Sequence, residues 1–194
     1  MNILVAVPAY NCESQIARVI QQFRGSPRSP FAKLLIIDNC STDNTLQTAL
    51  NAVKDHDSSD ISIIQNEENY NLGGTHKVAF QYCIDEGFDG VTILHGDDQG
   101  RLRDIEGPLT SPDVHSYDCI LGARFMKYAK LTGYPIIRIL GNKIFNLAYS
   151  LCVGRKIFDM GSGLNFFSRN LILESLHHKM PDDLTFNNAY LLTV

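Results

Sequence analysis

The feature that most constrains the fold of this chain is an alternation between short apolar runs and longer segments with helical periodicity. The first run covers residues 3–7, and apolar residues then recur at positions 16, 19, 20 and 23, the spacing of one face of an amphipathic helix. Further runs cover residues 34–37, 61–64, 91–94 and 119–121. The helical pattern after the second run has an apolar face made of Leu46, Ala49, Leu50 and Val53. Strands that are apolar on both faces and alternate with helices predict an α/β fold, a parallel sheet covered by helices on both sides.

Length and composition suit one globular domain in a reducing cytoplasm. The chain has 194 residues, of which 44% are hydrophobic, enough for a sizeable core. The formal net charge of −4 gives no reason to expect a nucleic-acid binder. The five cysteines include no C-x-x-C pair, which argues against a disulfide framework and a structural zinc site. No apolar run is long enough for a transmembrane helix, and the first residues lack the basic segment of a signal peptide.

The charges are distributed unevenly along the chain. Residues 119–158 contain no acidic residue, although they contain seven basic ones: Arg124, Lys127, Lys130, Arg138, Lys143, Arg155 and Lys156. The rest of the chain carries a strongly negative net charge, so the chain combines one positively charged segment with a negatively charged remainder.

Polar residues follow each of the first four predicted strands. Because ligands of open parallel sheets bind outside the carboxyl ends of the strands, chemistry is expected there. The residues concerned are Pro8, Tyr10, Asn11 and Glu13, then Asp38 and Asn39, then Asn66, Asn69 and Asn71, and finally His95, Asp97, Asp98 and Gln99. A single Asn or Asp at such a position is usually an ordinary turn or helix cap, but four such loops at one edge indicate a site.

The segment from His95 to Gly100 directly follows the fourth strand. Alternation along an extended segment places His95, Asp97 and Gln99 on one side. Side-chain oxygens with an imidazole suit a divalent cation that also takes ligands from the phosphates of a substrate. The alternative is a β-turn in which Asp and Gly are the turn formers.

Asp38 ends the second strand, where a buried carboxylate needs hydrogen-bond donors. Such an acceptor facing a planar base would select uracil or guanine, whose ring N–H groups donate, over adenine. The alternative is a helix cap that involves Ser41 or Thr42.

Gly73 and Gly74 precede the third helical pattern, and a helix N-terminus with glycines is a candidate anion site. Neither a G-x-G-x-x-G nor a Walker motif is present, which counts against dinucleotide oxidoreductases and Walker-type nucleotidases.

Residues 136–152 predict an amphipathic helix inside the acid-free segment. Its apolar face is formed by Ile136, Ile137, Leu140, Ile144, Leu147, Ala148 and Leu151, and a second face by Arg138, Asn142, Asn146 and Tyr149. A basic amphipathic helix can lie on anionic lipid and offer guanidinium groups to a phosphate. The alternative is a surface helix packed on the sheet with solvated cations.

Six short motifs appear in the order that is typical of family 2 glycosyltransferases. They are residues 7–13 (VPAYNCE), 37–43 (IDNCSTD), 69–74 (NYNLGG), 94–99 (LHGDDQ), 122–125 (GARF) and 159–163 (DMGSG). Together they resemble most closely the dolichol-phosphate mannosyltransferase-like branch, which loads a sugar from a nucleotide donor onto a polyprenyl phosphate. The resemblance covers nearly the whole chain.

The resemblance implies a GT-A fold, a three-layer α/β/α sandwich with a mostly parallel sheet, in a single domain. Residues 1–100 would form its nucleotide-sugar-binding half and residues 101–194 its acceptor-binding half, truncated at the carboxyl end because relatives usually continue further. The residues implied to bind a UDP- or GDP-sugar are Pro8, Ala9, Tyr10, Asn11, Glu13, Asp38, Asn39, Gly73 and Asp98. Asp97, Gln99 and His95 would hold Mg²⁺ or Mn²⁺, and Asp97, Arg124 and Arg138 would be catalytic, the two arginines by holding the acceptor phosphate.

The chain departs from the family pattern at three places. His95 stands where these mannosyltransferases usually carry the first Asp of their metal motif, which favours Mn²⁺ over Mg²⁺. Asp98 stands where a Gly or Leu is usual, and Asn39 with Cys40 replaces the usual Asp-Gly that contacts the ribose.

With a phosphate acceptor, the expected reaction is a single displacement that inverts the anomeric carbon without a general base, because the phosphate oxygen is already an anion. The enzyme would then act at the inner face of the membrane and contact it through residues 124–156.

Two alternatives remain open. A sugar-hydroxyl acceptor, as in capsule or O-antigen assembly, requires a base, with Asp159, Asp182 and Asp183 as candidates. A degenerate module would bind the nucleotide sugar without catalysis. The sequence leaves open the sugar, the choice between UDP and GDP, and the oligomeric state.

Overall fold

The structure is a computed structural model that describes residues 1–25, 30–54, 59–126 and 135–193. Its strands are β1 (Ile3–Ala9), β2 (Phe31–Asp38), β3 (Ile61–Gln65), β4 (Gly90–Leu94), β5 (Cys119–Leu121) and β6 (Leu164–Ser168). Its helices are α1 (Ile16–Gly25), α2 (Thr45–Lys54), α3 (Asn71–Asp85), α4 (Arg103–Thr110), α5 (Ile136–Val153), α6 (Arg169–Leu173) and α7 (Phe186–Thr193). Short 3₁₀ turns cover Pro112–Ser116 and Leu176–Lys179.

The six strands form one sheet in the order β3-β2-β1-β4-β6-β5. The β1–β2, β2–β3 and β1–β4 pairs are parallel, and the β4–β6 and β5–β6 pairs are antiparallel. The mostly parallel sheet is therefore confirmed, but the parallel direction expected for β5 is wrong. Strand β6 was not predicted, because Asn165 and Ser168 interrupt an apolar run of only a few residues.

Two apolar layers cover the sheet, which confirms the three-layer sandwich. Alternate residues of β1 point to opposite sides and are fully buried on both. Val5 packs in the layer of α1, α2 and α4, and Leu4 packs in the layer of α3, α6 and α7. Because β1 lies inside the sheet and under helices on both faces, its continuous apolar run has no solvated side.

The predicted helical faces are confirmed for α1 and corrected for α2. The residues at positions 16, 19, 20 and 23 of α1 are all buried. In α2, Ala49 is buried as expected, but Leu50 is 38% exposed and Thr45 is buried instead. The Thr45 hydroxyl is drawn inwards because it accepts the Cys12 amide at 2.8 Å, so capping rather than hydrophobicity sets the rotation of the first turn.

Helix α5 is confirmed within one residue of its predicted bounds, and it ends at Gly154, whose φ of +72° lies in the left-handed region that glycine adopts readily. Its apolar face is turned outwards: Ile137 is 86% and Leu151 75% exposed. The polar Asn146 is buried on the opposite side. Among the residues that the structure describes, no helix combines the length and apolar character that crossing a membrane requires.

Candidate active site at the carboxyl edge of the sheet

The loops after the first four strands meet at one edge of the sheet, as expected for neighbouring parallel strands. We call residues 8–13, 38–45, 65–71 and 95–99 the loop cluster. Backbone hydrogen bonds join its members: the Gly96 amide donates to the Pro8 carbonyl at 3.0 Å, and the Asn39 amide donates to the Ala9 carbonyl at 2.8 Å. A Cβ at Gly96 would lie 2.9 Å from the Cys12 Sγ, so only glycine allows this close approach.

Asp38 lies at the carboxyl end of β2 and is 1% exposed. Its Oδ2 accepts the Gln65 side-chain amide at 2.9 Å and the Ser41 backbone amide at 3.3 Å. Its Oδ1 is buried and has no hydrogen-bond partner in the described part of the chain. The interpretation as a turn cap is thus correct for one oxygen, while the other is an acceptor available to a ligand N–H.

Asn39, the next residue, uses its whole amide inside the protein. Its Nδ2 donates to the Asn69 side chain at 2.8 Å and to the Asn71 carbonyl at 3.3 Å. Its Oδ1 accepts the Asn66 Nδ2 and the Tyr70 backbone amide, both at 2.9 Å. An amide has two donors and an acceptor with two lone pairs, so this set is complete. Through its side chain Asn39 therefore joins the loops after β2 and β3, and its contact with the nucleotide sugar stays a prediction.

The loop after β1 is held mainly by the loop after β2. Asn11, with a φ of +49°, accepts the Thr42 backbone amide at 2.8 Å. Glu13 accepts from the backbone and side chain of Asn44, each at 3.3 Å. Both side chains therefore position these loops, and Tyr10 at their tip is 48% exposed. An exposed aromatic ring on a fixed loop can stack against a planar base.

Gly73 does not open an anion site. Helix α3 already begins at Asn71, and the amides of Gly73 and Gly74 both donate to the Asp182 carbonyl, at 2.6 and 3.2 Å. A Cβ at Gly73 would lie 2.4 Å from the Pro181 carbonyl oxygen. The prediction of a phosphate cradle at these glycines is wrong, because their amides and the space above them are taken by the segment that precedes α7.

The side chains of the predicted metal-binding segment, residues 95–99, point in different directions. Asp97 and Gln99 are both exposed, and the Asp97 Oδ1 accepts the Gln99 backbone amide at 3.1 Å. Asp98, with a φ of +60°, points to α1, where its two oxygens accept from Arg18 Nε at 2.7 Å and Gln22 Nε2 at 2.9 Å. The structure thus engages Asp98 in an ion pair with α1, and its contact with the nucleotide sugar stays a prediction.

His95 lies beneath this loop. Its Nε2 is buried and makes no hydrogen bond to any described residue. A Cβ at Gly163 would be only 2.7 Å from the imidazole, and the His76 ring lies edge-on with 5.6 Å between ring centroids. Burial lowers the pKa of His95, and Arg124 lowers it further, against the opposite effect of Asp97. The neutral imidazole is therefore favoured.

His76 is fully buried in α3, and its Nδ1 donates to the Leu72 carbonyl at 2.7 Å. That bond makes Nε2 the unprotonated nitrogen. Burial is the largest cause that lowers the pKa of His76 to about 3, with a smaller contribution from His95. His76 and His95 thus form a pair of neutral imidazoles in contact with each other.

Residues 1–25, 30–54, 59–126 and 135–193 contain no group of three or more His, Cys, Asp or Glu side chains that could hold a metal ion. The exposed Asp97 and Gln99 oxygens still fit a cation that takes its other ligands from a diphosphate and water, as Mg²⁺ commonly does with one or two carboxylates. The buried Nε2 of His95 is withdrawn from such a position.

Arg124 and Asp159 form a buried pair beside this edge. The side chain of Asp159 is 0% and that of Arg124 23% exposed. Asp159 accepts Arg124 Nε at 2.7 Å, Arg124 Nη2 and the Arg124 amide at 2.9 Å, and the Gly161 amide at 3.0 Å. The bidentate geometry fixes the guanidinium plane.

Arg138 lies on α5, and its side chain is outside the described part of the structure. Lys127 and Lys130 also lie outside the described residues.

The other two candidate bases are also engaged. Asp182 pairs with Lys77 Nζ at 2.7 Å. Asp183 stabilises the turn before α7 by accepting the Thr185 hydroxyl at 2.6 Å and the Thr185 amide at 2.8 Å, and these bonds lower the pKa of Asp183.

Sequence reasoning missed three side chains of the site: Arg18, Gln65 and His76. Gln65 was detectable in principle, because it ends β3 directly opposite Asp38 in the parallel register. Nothing in the sequence connects Arg18 to Asp98, which lies 80 residues further on. In the sequence, His76 is indistinguishable from any other polar residue of a helix, because its contact with the His95 ring depends on the fold.

The model of the family described as Glycosyl transferase family 2 matches residues 4–175. The chain therefore belongs to glycosyltransferase family 2, as the six motifs predict.

Two curated proteins resemble the chain over most of its length. Glycosyltransferase AglJ of Haloferax volcanii is 26% identical over 175 residues, which cover 89% of this chain and 52% of that protein. The undecaprenyl-phosphate 4-deoxy-4-formamido-L-arabinose transferase of Pectobacterium carotovorum is 24% identical over 179 residues, 91% of this chain and 51% of that protein. The chain thus spans about half the length of these relatives.

Solved structures confirm the GT-A fold. The mannosyltransferase PcManGT from Pyrobaculum calidifontis, in complex with GDP-Man and Mn²⁺, aligns with a TM-score of 0.64 at 18% identity, over 97% of this chain and 50% of its own. TarS of S. aureus in complex with UDP-GlcNAc aligns with a TM-score of 0.63 at 21% identity, over 99% of this chain and 54% of its own.

Proposed function

We propose that this chain transfers a sugar from a UDP- or GDP-sugar to a polyprenyl phosphate, with inversion at the anomeric carbon. The observation that carries the proposal is that the three candidate bases, Asp159, Asp182 and Asp183, are all engaged by protein donors. A hydroxyl acceptor needs such a base, whereas a phosphate oxygen is already an anion and needs only alignment. The name of the Pectobacterium relative supports a polyprenyl-phosphate acceptor.

The nucleoside half of the donor is assigned to the loop cluster. The unpartnered Oδ1 of Asp38 is placed to accept the ring N–H of uracil or guanine, and Tyr10 to cover the base. Adenine has an acceptor at the corresponding ring position, so it would leave the carboxylate without a donor and be rejected. Two solved structures of similar fold contain a nucleotide sugar and Mn²⁺, which supports a nucleotide sugar as the donor.

Asp97 and Gln99 would hold Mn²⁺ or Mg²⁺ against the diphosphate, and such a cation supplies charge stabilisation to the leaving nucleoside diphosphate. In the chain itself, the turn from Asp97 to Gln99 presents the carboxylate to solvent. The ion pair of Asp98 with Arg18 keeps the neighbouring carboxylate away from the donor phosphates, where a second unneutralised negative charge would repel them.

The acceptor phosphate is assigned to Arg124 and Arg138, and residues 101–194 to the acceptor half. Asp159 fixes the plane of the Arg124 guanidinium, so the cation is oriented before the acceptor arrives. The outward apolar face of α5 and the acid-free segment around it support contact of residues 124–156 with the inner face of a membrane. The five free cysteines fit a reducing cytoplasm.

A transfer assay tests the proposal. Radiolabelled UDP- and GDP-sugars are offered with a short polyprenyl phosphate or with soluble glycans, in Mn²⁺, in Mg²⁺ and in a chelator. Label in the lipid phase that requires the cation, with an inverted anomeric linkage by NMR, supports the proposal. Label only in the glycans assigns a hydroxyl acceptor, and donor binding without transfer assigns a non-catalytic module; either outcome contradicts it.

A further inference from the structure

An open pocket of about 630 Å³ lies between α5 and the segment that follows it, and Phe125, the chain neighbour of Arg124, also lines it. Volumes of this size are typical of ligand sites. The side chains used below are Lys143, Leu147, Leu151, Arg155 and Lys156, all of which line the pocket.

Hydrogen bonds to α5 fix the second wall of the pocket. The chain reverses at Gly154, and the Ile157 amide then donates to the Ser150 hydroxyl at 2.9 Å. Asn146 donates from its Nδ2 to the Phe158 carbonyl at 2.8 Å and accepts the Met160 amide at 3.2 Å. The buried polar side of α5 therefore holds residues 157–160 in place, and the pocket is formed without a ligand.

The pocket is positively charged. Lys143, Arg155 and Lys156 line it, and no acidic residue does. None of these three cations forms an ion pair with a carboxylate of the described ranges. The Lys156 Nζ lies 4.8 Å from the centre of the Phe158 ring, which keeps that charge at the rim. Three unpaired cations around a concavity form a site for a phosphate.

The pocket also opens onto the exposed apolar face. Leu147 and Leu151 line it and are 60% and 75% exposed. An occupant that satisfies both features carries a phosphate joined to an apolar body that covers leucine side chains. Free phosphate leaves the leucines in water, whereas an anionic bilayer supplies both phosphate groups and a continuous apolar layer beside them.

We propose that this pocket holds the phosphate headgroup of an anionic bilayer phospholipid and so docks α5 on the membrane. The inference rests on the membrane contact within the proposed function, and it assigns a site separate from the one for the acceptor phosphate. The headgroup lies among Lys143, Arg155 and Lys156, while Leu147 and Leu151 enter the acyl boundary.

Vesicle flotation of the whole chain tests this site. The vesicles are phosphatidylcholine alone or with about 30% phosphatidylglycerol, a content that gives a negative surface potential. The site variant K143Q/R155Q/K156Q is compared with the control K54Q/R103Q/K179Q, which removes the same charge from exposed positions that do not line the pocket. We expect wild type to float with phosphatidylglycerol only, the site variant to bind about a hundredfold more weakly, and the control to bind within about threefold of wild type.

Three results would overturn the proposal. Equal losses in the site and control variants would assign the binding to net charge. Flotation only when a polyprenyl phosphate is added to phosphatidylcholine would assign the pocket to the acceptor. Absence of flotation, with binding of inorganic phosphate or polyglutamate by titration calorimetry, would assign it to a soluble anion or an acidic protein.

Folding of the site variant is checked by circular dichroism, and L147Q/L151Q, which keeps all three cations, gives a second measurement. This variant is expected to keep its attraction to phosphatidylglycerol at low salt and to lose it at high salt, because only the apolar part of the contact resists screening. Wild-type transfer to a detergent-dispersed acceptor reports on the proposed function separately, so either can fail alone.

Discussion

The loop cluster and helix α5 use their polar side chains in opposite ways. In the loop cluster, Asn39 and Asn11 bind neighbouring loops, while the Asp38 Oδ1 is buried without a hydrogen-bond partner among the described residues. In α5, Asn146 and Ser150 turn inwards and fasten the following segment, so the apolar residues face outwards. The first arrangement suits a small polar ligand held by few contacts, and the second suits a broad apolar surface.

The difference shows that the role of a polar residue in a loop or helix has to be inferred from its hydrogen-bond partners. A polar side chain with all partners inside the protein is part of the scaffold, and one with a missing partner is a candidate for binding. The predictions below test this distinction in both regions.

The largest effect is expected at Asp97, the exposed carboxylate of the loop cluster. D97A is predicted to lower kcat/KM by at least about a thousandfold, about 4 kcal/mol, because the leaving diphosphate loses its bound cation. Initial rates in Mn²⁺ measure this effect. The exposed D113N is the control, and unchanged turnover of D97A with a normal melting temperature would contradict the assignment.

The next effect concerns Asp159, which anchors the segment after α5. D159A removes both hydrogen bonds from the Arg124 guanidinium to this carboxylate and takes the acceptor from two backbone amides, those of Arg124 and Gly161. We predict a loss of about 3 kcal/mol in the free energy of unfolding, the range measured for breaking buried ion pairs. Urea denaturation measures it against D113A. A loss under 1 kcal/mol would show that this pair contributes little to the scaffold.

A substitution at Asn39 distinguishes a structural role of this residue from a contact with the nucleotide. N39D restores the residue type that the family usually carries, but it replaces two donors with an acceptor facing the Asn69 Oδ1 and the Asn71 carbonyl. We predict a destabilisation of about 2 kcal/mol. The exposed N51D should stay within about 0.5 kcal/mol of wild type. Tighter donor binding by a stable N39D would instead make position 39 a ligand contact.

Asp38 is the converse case, with an oxygen left for the ligand. D38N is predicted to weaken UDP or GDP binding by about tenfold to thirtyfold, because the charged acceptor is lost. Titration calorimetry with UDP, GDP and ADP measures this effect, and the preference over ADP should also fall. Equal wild-type affinity for all three nucleotides would contradict base recognition by Asp38.

The smallest effect is a pH dependence from the buried His76. Its pKa is lowered from 6.5 to about 3, mainly by burial. Between these pH values the unfolded chain therefore binds a proton at His76 that the folded protein does not bind. The contribution to stability is complete above pH 6.5 and is lost as the pH falls towards 3. Between pH 6 and 5 the slope of the unfolding free energy should decrease by about 1 kcal/mol per pH unit in H76Q.

The exposed H115Q is the control for this measurement and should keep the wild-type slope. An unchanged slope in H76Q would mean that His76 is solvated in the folded protein. The slope is the chosen readout because it is independent of any constant loss of stability in the variant.

How far the sequence predicts this molecule depends on the range of the interactions involved. Apolar periodicity locates β1 and α5 because the period that distinguishes a strand from a helix belongs to each segment alone, although it does not show that the apolar face of α5 is exposed. It fails for the direction of β5, which is set by its pairing with β6, and for the rotation of α2, where Thr45 is held by Cys12. These partners are distant in sequence and leave no local signal.

The candidate site divides along the same line. The loops that carry Asp38 and Asp97 follow from parallel topology and could be predicted. The engagement of Asp98 by Arg18 and of Gly73 by the Asp182 carbonyl could not, since each contact depends on how separate elements pack.

The contact between α3 and the segment before α7 couples distant parts of the chain. The Gly73 and Gly74 amides share the Asp182 carbonyl, and Lys77 one turn later binds the Asp182 side chain. The first turn of α3 also follows directly on the loop that Asn39 holds. A displacement of that turn would therefore also move Asp182, so the loop cluster and the segment before α7 are mechanically linked through α3.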